Sequence, residues 1–305
     1  MSRPTAAPPW YYHLLAAPLL ALAHLPLVVL YVAARGIYLL LAYGLRYRWG
    51  VVLDNLRHAF PEKSAAEIQR IRRQFYWHFA QLLVEILKLA AISPAELGRR
   101  IYFANPELLA QPIAARRQVL VLGSHVGNWE WLLSCSALLF PHQVAGVYKT
   151  LGNKFFEWFV RRVRTRLRAA AVPMLSTLRY LVQHRGTGQA ISLLLDQAAG
   201  PDDRPYWTSF LHREAGFYTS ADRLGPQFDC VMLYVSVRRE RLGHYVVHLA
   251  ALPTGPPPGL PAAAPAALRY PATEAFVRHL EADIQAAPEQ YLWTHRRWKH
   301  VRNSG

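Results

Sequence analysis

The chain is predicted to be α/β, with a central mixed, mostly parallel sheet flanked by helices and an N-terminal membrane-anchoring helix. Short apolar runs, Val119 to Leu122, Val144 to Tyr148 and Gln189 to Leu195, read as buried strands separated by helix-length segments. Asp229 to Val237 and His244 to Leu252 read as a hairpin, which makes the sheet mixed. The chain opens on a stretch, Tyr11 to Ala34, with no formally charged residue.

That opening stretch is long enough to cross a bilayer core. Pro18, Pro26, His13 and His24 interrupt it, so a kinked or partly embedded helix is the alternative. A cleaved signal peptide is disfavoured, because the run is too long and apolar sequence from Gly36 to Leu45 follows directly. Arg35, Arg46, Arg48 and Arg57 come after the stretch and Arg3 alone before it, which puts the body on the cytoplasmic side. The expected division is an anchor over residues 1–45 and a folded domain over 46–305. Its attachment would be single-pass or monotopic.

Composition points the same way. The 305 residues suffice for a substantial core, in one large unit or two smaller ones. Lys and Arg number 35 against 19 acidic residues, a formal charge of +16 that calls for a polyanionic partner. An apolar fraction of 52% and 9 Trp favour an anionic membrane surface over nucleic acid. Cys135 and Cys230 sit in apolar segments without metal-like spacing and read as buried thiols in a reducing compartment.

Taken in order, Phe60-Pro61-Glu62-Lys63 stops one segment and Ser64-Ala65-Ala66-Glu67 opens a helix with a capping-box pattern. It runs to about Ala91 with Ile68, Ile71, Phe75, Leu82, Ile86 and Leu89 as its apolar stripe, and Arg70, Arg72 and Arg73 as a solvated face. After the Val119 strand, Gly123-Ser124-His125-Val126-Gly127 is a small-residue turn, and a helix starts at Asn128. Asn153 to Ala171 reads as a helix dense in arginine, Val172 to Leu175 as a short strand and Ser176 to His184 as a helix. Tyr206 to Leu211 is strand or loop, and Ala215 to Leu224 a helix. Residues 253–268 form a Pro- and Ala-rich excursion, and a helix from Thr273 to Ala286 leads to the basic aromatic tail Trp293-Thr294-His295-Arg296-Arg297-Trp298-Lys299. That tail is either a membrane-surface anchor or a docked terminus.

His125 is the candidate general base. It lies between strand and helix, and Glu130, about one turn inside the helix, can fold back to hold one ring nitrogen while the other takes a proton from a hydroxyl. Amides near Gly127 and Asn128 would face a developing oxyanion. A His and a carboxylate five apart are common by chance; the strand, turn and helix around them give the pair weight. Asp196 and Gln197 end the third strand and share the edge where open α/β sheets bind ligands, although a capping role for Asp196 is equally open. Among the arginines of 161–168, one could point inward to an anionic group.

Several segments together resemble the bacterial lipid A biosynthesis (lauroyl/myristoyl) acyltransferases, within the lysophospholipid acyltransferase superfamily and its His-x4-acid motif. The resemblance covers nearly the whole chain. It rests on the apolar N-terminus, Tyr47-Arg48 through Asn55-Leu56 to Phe60-Pro61-Glu62, and His125-x-Gly127-Asn128-Trp129-Glu130. Downstream it takes in Asn153, Arg164, Gly188 to Asp196-Gln197 and the Trp293 to Lys299 tail. It implies acyl transfer from acyl carrier protein or acyl-CoA to a hydroxyl of a lipid A precursor at the inner membrane, with no metal or nucleotide cofactor. His125 would be the base and Glu130 its partner, while Asn128, Arg164, Asp196 and Gln197 would meet substrate. The chain has Phe210-Leu211-His212 where many relatives carry a Phe-Phe-Gly-like turn, and it lacks a downstream Pro-Glu-Gly-Thr block, which argues against a simple glycerophospholipid acceptor. An ornithine lipid or glycolipid acceptor is the alternative, as is a non-catalytic lipid-binding protein. A hydrolase is disfavoured, since no Gly-x-Ser-x-Gly elbow is present.

Overall fold

Pro26 decides the shape of the N-terminus. In the computed structural model, which describes residues 8–257, 259–261, 264–300 and 302, the apolar run is two helices rather than one. Helix α1 (Trp10–His24) carries Pro18 inside it and ends where Leu25 turns extended ahead of Pro26, and α2 (Leu27–Leu39) restarts and runs into a π turn over Leu40–Gly44. The carbonyl of Leu25 accepts from Lys88 Nζ at 3.0 Å, so the break is capped. Leu27–Gly44 is long and apolar enough to cross a membrane. Arg3, the one charged residue before the apolar stretch, lies outside the described residues.

Helix α3 (Trp49–Ala59) leads to α4 (Ala65–Lys88), which starts at the expected capping box: the Ser64 hydroxyl accepts from the Glu67 amide, and Glu67 accepts from the Ser64 amide. The α4 stripe is buried as expected at Ile68, Ile71, Phe75 and Leu82, and α2 packs on α4, with Leu27, Leu30 and Ala34 in one cluster with Ala80 and Val84. Arg70 and Arg73 are exposed. Arg72 corrects the expectation: it is buried, its guanidinium 3.9 Å from the Trp49 ring centre. A planar, weakly hydrated cation can be taken out of water by an aromatic face where an ammonium could not.

Next come α5 (Pro94–Arg100), strand β1 (Ile101–Phe103), which the sequence pattern did not signal, α6 (Glu107–Ala114), β2 (Val119–Gly123), α7 (Trp129–Leu139) and β3 (Val144–Tyr148). Helix α8 (Lys154–Thr165) is shorter than the arginine run suggests, because Arg168 turns left-handed and the chain becomes β4 (Ala170–Pro173). Then α9 (Thr177–Gln183) and β5 (Ala190–Leu194) follow. A second correction falls at β6 (Tyr206–Phe210) and β7 (Arg213–Phe217), which pair antiparallel where a helix was expected from Ala215. Their two-residue turn puts Leu211 and His212 at φ 49° and 65°, left-handed without glycine, which hides the hairpin from the sequence. Helix α10 (Ser220–Gln227), strands β8 (Val231–Arg241) and β9 (His244–Ala251), α11 (Ala266–Arg269) and α12 (Pro271–Ala286) complete the fold.

The main sheet has the order β1-β9-β8-β2-β5-β3-β4, parallel except at the β8–β9 hairpin. Its central strand β2 is wholly buried and lies parallel to β5, with Gly123 opposite Leu194. The residues that follow, His125 and Asp196, therefore leave the sheet side by side at its carboxyl edge.

Gly127 sits at φ 66° in the turn after β2, and a Cβ there would collide with the Val237 carbonyl. Gly127→Ala should therefore lower stability by about 2 kcal/mol or more, read as a drop in the thermal midpoint in detergent; a midpoint equal to that of the unaltered chain would mean that the turn is not so confined.

Candidate active site

The turn after β2 is fastened on three sides. From β5, buried Asp196 accepts the His125 backbone N–H on Oδ2 at 3.1 Å and meets ring Nδ1 with Oδ1 at 2.7 Å. From the C-terminal tail, Gln290 C=O accepts from the Gly127 amide and the Leu292 amide donates to His125 C=O, an antiparallel bridge of Val126 with Tyr291. From α4, Glu85 accepts at 2.8 Å from the side chain of Asn128, whose Oδ1 caps α7 by accepting the Trp131 amide.

A carboxylate can only accept, so Nδ1 carries the proton and Nε2 is the basic nitrogen. Nε2 has no protein hydrogen-bond partner among the described residues. The Trp129 ring packs edge-on against the imidazole, centroids 4.8 Å apart. Burial alone would raise the Asp196 carboxyl, but the facing imidazole and the His125 bonds outweigh it and hold it below the usual range. Its stabilisation is complete above the ordinary aspartate pKa and is lost as pH falls through the lower folded value.

Glu130 departs from the expected geometry. Its carboxylate lies in a two-pronged pair with Arg164 of α8, through Nε at 2.9 Å and through Nη2, while the orienting place at His125 belongs to Asp196. Arg164 also stands over the Tyr148 ring, 5.6 Å from its centre, at the end of β3. Asn128 is fully buried with both polar functions engaged, so it braces the turn rather than facing a ligand. The Gly127 amide, held by Gln290, is not free for an oxyanion; no acceptor is found for the Asn128, Trp129 and Glu130 amides among the described residues. Gln197 is half-buried beside Asp196.

Glu85 was not singled out from the sequence, where it reads as one more polar residue of an amphipathic helix. It has no exposure and accepts from Tyr31 of α2 at 2.8 Å, Tyr245 of β9 at 2.6 Å and Asn128, while its carbonyl takes the Trp131 indole N–H. Burial pushes its carboxyl above the usual range, against these bonds, which favour the anion. The C-terminal tail is a docked terminus: Asn55 donates to Trp293 C=O and His295 C=O, Arg48 to Thr294 C=O, and His295 Nε2 accepts from the Ala198 amide.

The family profile described as bacterial lipid A biosynthesis acyltransferase matches residues 4–300. The chain belongs to this family. The acyltransferase is 26% identical over 257 residues to the lipid A biosynthesis palmitoleoyltransferase of Escherichia coli K12, covering 84% of this chain and 80% of that protein. It is similar at the same identity and coverage to a lipid A biosynthesis acyltransferase of Shigella flexneri.

Two groups of this acyltransferase give it a pH dependence. Burial pushes His78 down to about 3 and His295 down to about 4. The unfolded chain protonates both near pH 6.5 and the folded chain does not, so stability falls as pH drops from about 6.5 towards about 4. Neither His78 nitrogen has a partner among the described residues, so His78→Leu should raise the thermal midpoint, with a gap about 2 kcal/mol larger at pH 5 than at pH 8; a pH-independent gap would contradict it. Glu85→Gln removes an acceptor from a site with three side-chain donors and should cost about 1–3 kcal/mol, visible in the same melts, whereas an unchanged melt would show that Asn128 is held otherwise.

Proposed function

We propose that this acyltransferase moves a fatty acyl chain from the thioester of acyl carrier protein or acyl-CoA to a hydroxyl of a lipid A precursor, with His125 as general base. The observation that carries the reading is the 2.7 Å contact of His125 Nδ1 with buried Asp196, which leaves Nε2 basic at the carboxyl edge of the sheet. Residues 1–45 serve as the anchor and 46–305 as the transferase domain, attached to the inner membrane with the site on the cytoplasmic side.

In this reading Nε2 takes the acceptor O–H proton as that oxygen attacks the thioester carbonyl. The tetrahedral oxyanion meets the free amides at the start of α7, where the helix presents its positive end. Collapse breaks the C–S bond, and the imidazolium returns the proton to the departing thiolate. Asp196 fixes the tautomer and steadies the imidazolium. Glu130 holds Arg164 in place, and the guanidinium supplies positive charge for an anionic part of the substrate. Gln197, beside Asp196, is a further substrate contact.

Full-length protein given labelled acyl carrier protein thioester and the lipid A precursor should move label into the lipid. His125→Ala should abolish transfer, and Asp196→Asn should lower kcat by roughly 10²–10⁴-fold with the protein still folded. Substantial transfer by His125→Ala would remove the base from this scheme. Label that reaches only an ornithine lipid or glycolipid changes the acceptor, and lipid binding without any release of thiol favours a non-catalytic lipid binder.

A further inference from the structure

Exposed apolar side chains gather at the carboxyl edge of the sheet, on segments other than the N-terminal helices. β3 and β4 lie side by side with Tyr148 opposite Pro173, so the chain that follows each leaves the edge together. Leu175 is 96% exposed, and Met174, Leu178 and Val182 continue the same uncovered face along the turn and α9. Leu151 and Phe156, after β3, are about half exposed beside them. A water-facing helix surface normally carries polar groups, and a contiguous apolar patch rimmed by charge marks a contact site. Here the rim is exposed Lys149, Lys154 and Arg179, on the segments that leave β3 and β4.

Two observations choose the occupant. The first is continuity with the anchor: Tyr12 of α1 packs on Phe155 and Trp158 of α8 at 5.5 and 5.6 Å, and His13 on Trp158 at 5.2 Å. Helix α8 starts where the chain leaves β3, beside the segment that follows β4, so its first turn lies between α1, with exposed Trp10, Tyr11 and Leu14, and the Leu175 segment. The second is charge, since the cationic rim fits anionic lipid headgroups while the leucines fit the acyl layer.

We propose that the segments after β3 and β4, with Leu175 at their tip, form a second membrane-contact surface that dips into an anionic bilayer beside the N-terminal helices. β4 lies three strand spacings from β2, about 14 Å, so this surface turns the edge that bears His125 towards the lipid. A lipid acceptor then reaches the imidazole without leaving the membrane. Such a surface can be tested first without any acyl turnover.

Full-length Leu175→Cys is labelled with an environment-sensitive fluorophore and reconstituted into phosphatidylglycerol–phosphatidylethanolamine vesicles, beside a control labelled at Gln111→Cys, exposed on α6. The native thiols do not compete, because burial pushes Cys135 up to about 12 and Cys230 up to about 11. The Leu175 probe should shift to the blue and be quenched by spin-labelled lipid, and the Gln111 probe should do neither. The double variant L175D/L178D should transfer acyl groups to a detergent-dispersed acceptor within about twofold of the unaltered chain, and roughly tenfold less well to a vesicle-embedded one. A Leu175 probe that stays in water overturns the proposal. So does one that shifts with protein concentration in the absence of lipid, which would make a second copy the occupant. If no variant turns over any acyl donor, the acyl-transfer reading fails while the probe still decides this one.

Discussion

The contact between His125 and Asp196 is the constraint to which the rest of the architecture answers. It needs two parallel strands, β2 and β5, adjacent and in one register, so that residues far apart in the chain leave the same edge together. A parallel pair cannot be closed by a short turn, and the intervening chain supplies two further strands and the helices that cover them. The carboxylate is buried, and an unpaired charge at such a depth would be costly. The imidazole and the His125 amide make the burial tolerable, and they simultaneously fix which ring nitrogen keeps the proton.

The same turn is held by pieces that contribute nothing to its charge. Glu85 ties the α7 cap to β9 and, through Tyr31, to the apolar N-terminal helices, so those helices and the turn share a buried carboxylate. On the other side, the tail pairs with the turn through Gln290 and Leu292, and is itself clasped by Asn55 and Arg48 of the segment that follows those helices. The N-terminal helices and the C-terminal segment therefore converge on four residues, 125 to 128. That arrangement fixes the imidazole relative to the apolar N-terminal helices.

The Glu130–Arg164 pair shows how sequence spacing misleads. A carboxylate five residues beyond a histidine is the nearest acid along the chain, and nothing local says otherwise. Asp196 lies 71 residues away and wins because strand pairing brings it closer than helix geometry brings Glu130. Glu130 then satisfies an arginine from α8 that would otherwise be half-buried and alone. Arg72 is a parallel case: its place on the helix reads as solvated, and only the arrival of Trp49 from another helix makes its burial acceptable.

Sequence alone determined whatever is written in local pattern. The apolar runs of β2, β3 and β5, the β8–β9 hairpin, the Ser64–Glu67 cap, the uncharged N-terminus and the place of His125 and Asp196 at strand ends are legible, because burial, capping and turn chemistry leave their mark within a few residues. Tertiary structure decided which acid faces the imidazole, that Glu85 is buried, that the tail closes on the site, and that Leu211 and His212 bend a hairpin without glycine. Those outcomes depend on groups brought together by strand order and helix packing, and their energies exist only once the surrounding chain has excluded water from them.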